Sequence, residues 1–251
     1  MPTPFRAQLK HGSDGGVRRR TCSLLLGLSL LAWLSGCEGD ATGAPQAPTT
    51  SAIQSPAQGS LPAGTAPIEA GNYLVPKSEW SVADFTVTFP RGWTVQYGHV
   101  YLKNSGAADE LGFVAVEVDE IFTDACKGGD DVTEVGPSVY DLSTALLRQP
   151  GPRAQGLFRA TFGGYPAIMV NLSVPKNLNL KACSLGGIGL QIWYSAPADK
   201  HFVLLHDGVA SVYILDIDGQ RQVFLVQHRS AASPKDIREL QAVIDSIHIE
   251  G

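Results

Sequence analysis

"SVYILDIDGQRQVFLVQH" (residues 211–228) places two apolar-rich segments on either side of Asp218-Gly219. An Asp-Gly pair between two strand-like runs is a strong hairpin signal, because a type I′ turn needs positive φ at both central residues. The same letters contain "DIDG" (216–219), the opening of a calcium loop. A complete loop of that kind needs a glutamate at its twelfth position, where this chain has Gln227. The hairpin is therefore the reading, and it sets an antiparallel fold.

Outward from the hairpin the same period continues. "FTVTF" (85–89) alternates and ends at Pro90. "GFVAVEV" (112–118) puts Phe113, Ala115 and Glu117 on one face and Val114, Val116 and Val118 on the other. Further strands are read at 157–162, 167–174, 189–195 and 201–206. The connections are too short for helical crossovers, which predicts antiparallel meanders. Two helices interrupt them. "SVYDLSTALLRQ" (138–149) opens with Ser138 and Asp141 in a capping-box arrangement and stops at Pro150-Gly151. "SPKDIRELQAVIDSIHI" (233–249) offers Ser233 as N-cap, Pro234 at the first helical position, and a stripe of Ile237, Leu240, Val243, Ile244 and Ile247 to cover the sheet.

The other end of the chain is organised differently. Residues 1–20 carry Arg6, Lys10, Arg18, Arg19 and Arg20 against Asp14, and "CSLLLGLSLLAWL" (22–34) follows. A basic stretch and a short apolar run form a secretory signal, whereas spanning a bilayer takes about 20 apolar residues. From Cys37 to Gly71 the chain is rich in Ala, Pro, Thr, Ser and Gly without apolar periodicity, which predicts an extended, disordered linker. The expected organisation is a signal peptide over 1–36, a linker over 37–71 and one α+β head domain over 72–251, an antiparallel sheet flanked by helices.

The junction Leu34-Ser35-Gly36-Cys37 resembles the lipobox of bacterial lipoproteins. That resemblance implies cleavage before Cys37, with Leu34, Ser35 and Gly36 as the recognition residues and Cys37 as the lipid-bearing one. "FTVTFPRGWTV" (85–95), "YILDIDGQR" (213–221) and the closing "ELQAVIDSIHIE" (239–250) resemble PsbP-like domains and related secreted bacterial lipoproteins. The likeness implies an antiparallel sheet with flanking helices and transfers no activity, since one fold hosts many functions.

Within the head, Cys126 and Cys183 are the remaining cysteines, and in an exported chain an even pair reads as a disulfide. Neither CxxC spacing nor a neighbouring histidine supports a redox or metal pair. The histidines form no HExxH motif, and His206-Asp207 is a base-and-orienter pair with no GxSxG nucleophile to serve. Glu117, Asp119, Glu120, Asp124, Asp130 and Asp131 bracket Cys126 and read as a solvated edge and loop. Most aromatic residues belong to the core. If there is a binding surface, it is expected where Trp193 and Tyr213 approach the "KNLNLKACSLGG" loop (176–187). A net charge of −5, which becomes more negative once the basic leader is removed, disfavours nucleic acid.

These observations predict no catalytic residue, metal or cofactor. They predict a membrane-anchored extracytoplasmic lipoprotein, held through lipid on Cys37, whose head is a non-catalytic binding module for another envelope protein. The alternative is a small-molecule or lipid carrier with an apolar cavity; a hydrolase would need a convergent Ser, His and Asp group. Native mass spectrometry of the membrane-extracted protein should return the mass of a chain beginning at Cys37 plus acyl chains. A bare or longer chain would sink the anchor.

Overall fold

The computed structural model describes residues 59–129, 131–196 and 200–250. The expected signal peptide, the Leu34–Cys37 junction, the expected linker as far as residue 58, and Asp130 lie outside the described residues. The chain enters through β1 (Ala66–Ile68), β2 (Gly71–Val75) and β3 (Phe85–Phe89). It continues through β4 (Trp93–Gln96), β5 (Val100–Lys103) and β6 (Leu111–Val116), then β7 (Glu120–Phe122) and β8 (Val132–Glu134). Helix α1 (Val139–Arg148) precedes the long pair β9 (Arg153–Phe162) and β10 (Tyr165–Ser173). After β11 (Gly189–Ser195) and β12 (Lys200–Leu205) come the hairpin β13 (Gly208–Ile217) and β14 (Gln220–Arg229), helix α2 (Pro234–Asp245) and the short β15 (His248–Ile249).

The fold is α+β, and the named strands pair antiparallel. The strands divide into three sheets: an eight-stranded one ordered β1-β4-β5-β6-β14-β13-β10-β9, a four-stranded one ordered β12-β11-β7-β8, and a three-stranded one ordered β15-β3-β2. The large sheet lies between two cores. Phe113, Ala115, Leu215 and Phe224 face the first, which α2, β2, β3 and β15 cover with Tyr73, Phe85, Leu240, Val243 and Ile249. Val114, Val116, Val212, Ile214 and Leu225 face the second, covered by Leu142 and Leu146 of α1 and by Leu190, Ile192, Trp193 and Leu204.

Local chemistry explains the helix limits. Ser138 caps α1 by accepting from the Asp141 backbone N–H while Asp141 reaches back to the Ser138 N–H. Ser233 caps α2 by accepting from the Asp236 backbone N–H while its hydroxyl donates to Asp236 Oδ2, with Pro234 in the first turn. The apolar stripe of α2 is buried as read, and Ile247 contributes from just beyond the helix. Lys103 fastens the polar side of α2 to the sheet, with Nζ 2.7 Å from Asp236 Oδ1 and 2.9 Å from Glu239 Oε1. At the hairpin tip Asp218 and Gly219 have φ of 51° and 82°, both in the left-handed region a type I′ turn requires.

Two expectations need correction. The segment assigned to the linker up to residue 71 supplies β1 and the first residue of β2, and Ile68 is 3% exposed in the first core. A three-residue edge strand needs only one buried side chain, so it leaves no periodicity to read. The expected single sheet is three, because both faces of the large one are apolar and β7, β11 and β12 are needed to cover the second. Gly156, at φ 73°, sits where the β9–β10 register shifts, and this bulge bends the exposed edge strand β9. No helix among the described residues is long and apolar enough to cross a membrane.

Buried glutamines join the layers. Gln222 Oε1 accepts from the Val82 N–H at 2.8 Å, and Nε2 donates to the Val116 carbonyl at 3.1 Å. Gln149 Nε2 donates to the carbonyls of Phe122 and Ile192, tying the end of α1 to β7 and β11. Replacing Gln222 with Leu leaves the Val82 N–H and the Val116 side of this network without those partners, so Gln222→Leu should cost about 3 kcal/mol. Urea unfolding with an unchanged m-value checks this.

Candidate functional site

Beyond β10 the chain runs through a long loop, with a 3-10 turn at Leu180–Ala182, before re-entering at β11. Its anchors are covalent and polar. The Cys126–Cys183 disulfide pins it at an S–S distance of 2.01 Å, the Ser184 N–H donates to the Cys126 carbonyl, and the His206 N–H donates to the Ile188 carbonyl. The pairing expected of the two cysteines is thus present. Closing 57 residues of sequence with one bond contributes about 4 kcal/mol in the chain-entropy account.

A cleft opens on each side of this loop. One, of about 690 Å³, is bounded by Leu180, Lys181, Ile188, Leu205 and the 106–110 turn. The other, of about 710 Å³, is bounded by Arg153, Val174, Lys176 and Val209. Leu178, Leu180 and His206 border both. Ile188 is 59% exposed and Val209 43% exposed, so each cleft offers an apolar surface to solvent. Arg153, Lys176 and Lys181 stand exposed around them and have no carboxylate partner among the described residues.

The wall between the clefts is a polar network centred on Arg229. Its Nε donates to Asp207 Oδ1 at 2.8 Å, Nη1 to the Ala107 carbonyl at 2.9 Å, and Nη2 to His206 Nε2 at 2.8 Å. A guanidinium only donates, so in this contact His206 Nε2 is the acceptor. Asp207 Oδ1 also approaches His206 Nε2 at 3.5 Å. Ser230 Oγ donates to Asp207 Oδ2 at 3.1 Å. A serine, a histidine and an aspartate do converge here, but the serine hydroxyl bonds to the carboxylate and the imidazole nitrogen faces a cation. That wiring provides no activated nucleophile. Partial burial opposes ionisation of Asp207, yet the hydrogen bonds from Arg229 and Ser230 and the Arg229 charge outweigh it and hold the carboxyl below its ordinary value.

The other sequence candidates separate. Trp193 is fully buried in the second core, whereas Tyr213 is half-buried against the first, its ring 4.7 Å from that of Phe162. They lie on opposite sides of the large sheet and share no surface; the expected Trp193–Tyr213 surface is replaced by the loop clefts themselves. Among the described residues no group of three or more His, Cys, Asp or Glu could hold a metal ion. Arg221 reaches into the acidic stretch, donating to the carbonyls of Val118, Gly136 and Ser138. Burial, then the Asp119 charge, raises the pKa of Glu117 there. The Arg229 network was not read from the sequence, because its partners lie as far as 122 residues away.

No family model matches the chain, and no curated protein does. Solved structures similar to it include the following two. The solution structure of CyanoP, the cyanobacterial PsbP of Synechocystis sp. PCC 6803, aligns over 73% of this chain and 95% of its own, with 11% identity and a TM-score of 0.34. The crystal structure of LpqN, involved in cell envelope biogenesis of Mycobacterium tuberculosis, aligns over 74% of this chain and 91% of its own, with 14% identity and a TM-score of 0.30. Scores and identities this low assign the chain neither a family nor an activity.

Because the folded carboxyl of Asp207 releases its proton more readily than the unfolded one, its stabilisation is complete above the ordinary aspartate value. It is lost as pH falls through the lower folded value. A carboxyl ¹³C titration should find the Asp207 midpoint below that of an unstructured aspartate, and Arg229→Gln should raise it.

Proposed function

We propose that this chain is a lipid-anchored extracytoplasmic lipoprotein with a PsbP-like head, a non-catalytic module that binds another envelope protein through the clefts flanking the 174–188 loop. The observation that carries this reading is the pairing of exposed Ile188 and Val209 with Arg153, Lys176 and Lys181 on a chain whose net charge is −5. A cationic, partly apolar face on an acidic protein is complementary to an acidic segment with apolar side chains, and such complementarity steers and orients association. The hydrogen-bond directions around His206, Asp207 and Ser230 support a binding role over hydrolysis. The Cys126–Cys183 bridge supports an oxidising compartment. The anchor rests on the Leu34–Cys37 sequence alone.

One observation favours the carrier reading. Both clefts, at about 690 and 710 Å³, fall within the size range of small-molecule sites. A photoreactive residue at position 188, activated in intact cells, separates the two. The protein-binding reading expects a cross-linked polypeptide of defined mass, lost in a Lys176→Glu/Lys181→Glu variant and absent when the photoreactive residue replaces Tyr140. Cross-links confined to lipid or a small molecule would replace it with the carrier.

A further inference from the structure

A smaller cleft, of about 180 Å³, lies under the 75–81 segment and shares no lining residue with the loop clefts. Trp80, Phe85, Val75 and Ala115 give it apolar walls, and His99 and Tyr101 line it as well. Trp80 lies face to face with His99 and is itself buried against Phe202. Tyr101 is 1% exposed. Its hydroxyl and the buried Nε2 of His99 both lack a hydrogen-bond partner. Buried polar groups in folded proteins are nearly always paired, so two unpaired ones lining one cleft mark a place where a ligand completes the bonding.

The chemistry of the walls defines that ligand. Burial, with the Lys200 charge adding to it, lowers the pKa of His99 to about 4, so the imidazole is neutral at pH 7. Burial likewise raises the pKa of Tyr101, which stays a neutral phenol. The cleft therefore offers no buried charge to balance an ion. Lys200 opposes a bound cation, and Glu79 in the lining opposes a bound anion. A hydroxyl is the smallest uncharged substituent on an apolar ring that can accept from one partner and donate to the other whichever nitrogen of His99 carries the proton. At roughly 30 Å³ per water molecule the space equals about six waters, which suits a single small ring.

We propose that this cleft binds an uncharged, hydroxyl-bearing molecule about the size of phenol, its oxygen bridging Tyr101 Oη and His99 Nε2 and its apolar body against Phe85, Val75 and Ala115. The site is independent of the protein-binding reading, and its failure would leave that reading standing.

Phenol is the probe, and toluene is its control without the hydroxyl. In ¹⁵N spectra of the protein, phenol should shift the His99 ring nitrogens saturably, and toluene should bind at least tenfold more weakly. Tyr101→Phe removes only an unpaired hydroxyl, so it should fold at least as stably while losing about tenfold in phenol affinity. Equal binding of phenol and toluene, or no phenol-dependent shift at His99 up to solubility, would overturn the proposal and leave the cleft to water. The ring-nitrogen titration of the unsubstituted protein reads the outcome even if the variant misfolds.

Discussion

Strands β6, β13 and β14 carry apolar side chains on both faces, and a sheet of that kind is stable in water only when it is covered twice. Burying each Val, Leu or Phe contributes about 1.5–3 kcal/mol, so leaving either face open would forfeit most of the stabilisation available to a head of this size. Everything else in the architecture answers that requirement. Helix α2 and the strands β2, β3 and β15 close one face, and α1 with β7, β11 and β12 closes the other. The layers then need polar fasteners, because each added layer brings backbone groups that the sheets do not pair. Gln222, Gln149 and Lys103 serve there, each linking elements far apart in sequence.

The same requirement shapes the surface. The long connection from β10 to β11 packs Val174, Leu178 and Leu180 against the second core, and it is held at Cys183 and Ser184 as well as by that packing. Leu178, Leu180 and Ile188 remain partly or fully available, with clefts on both sides. Arg229 stiffens the wall between them, since its donors engage three residues on two separate segments. A rigid scaffold presenting a tethered loop is a common arrangement for recognition.

Much of this was readable from residue order, and the reasons for success and failure are local. Asp218-Gly219, the two serine N-caps and the α2 stripe each encode a structure within a few residues, and the two-faced pattern of Phe113 to Val118 correctly divided the side chains between two cores. Strands of two to four residues, such as β1, β7 and β15, hold too few positions for a period to emerge. Trp193 and Tyr213 looked equivalent because an aromatic residue does not announce which core it joins. His206-Asp207 was visible as a pair, but its scaffolding role depends on Arg229, whose approach only the tertiary fold creates.

The pairing of β15 with β3 brings the last ordered strand against one of the first, and the first core is sealed by α2 and β15. During synthesis β2 and β3 leave the ribosome well before the residues that cover them. At common elongation rates that interval is on the order of ten seconds. The head is thus a late-closing fold, with its early amphipathic strands left uncovered until α2 and β15 have been made.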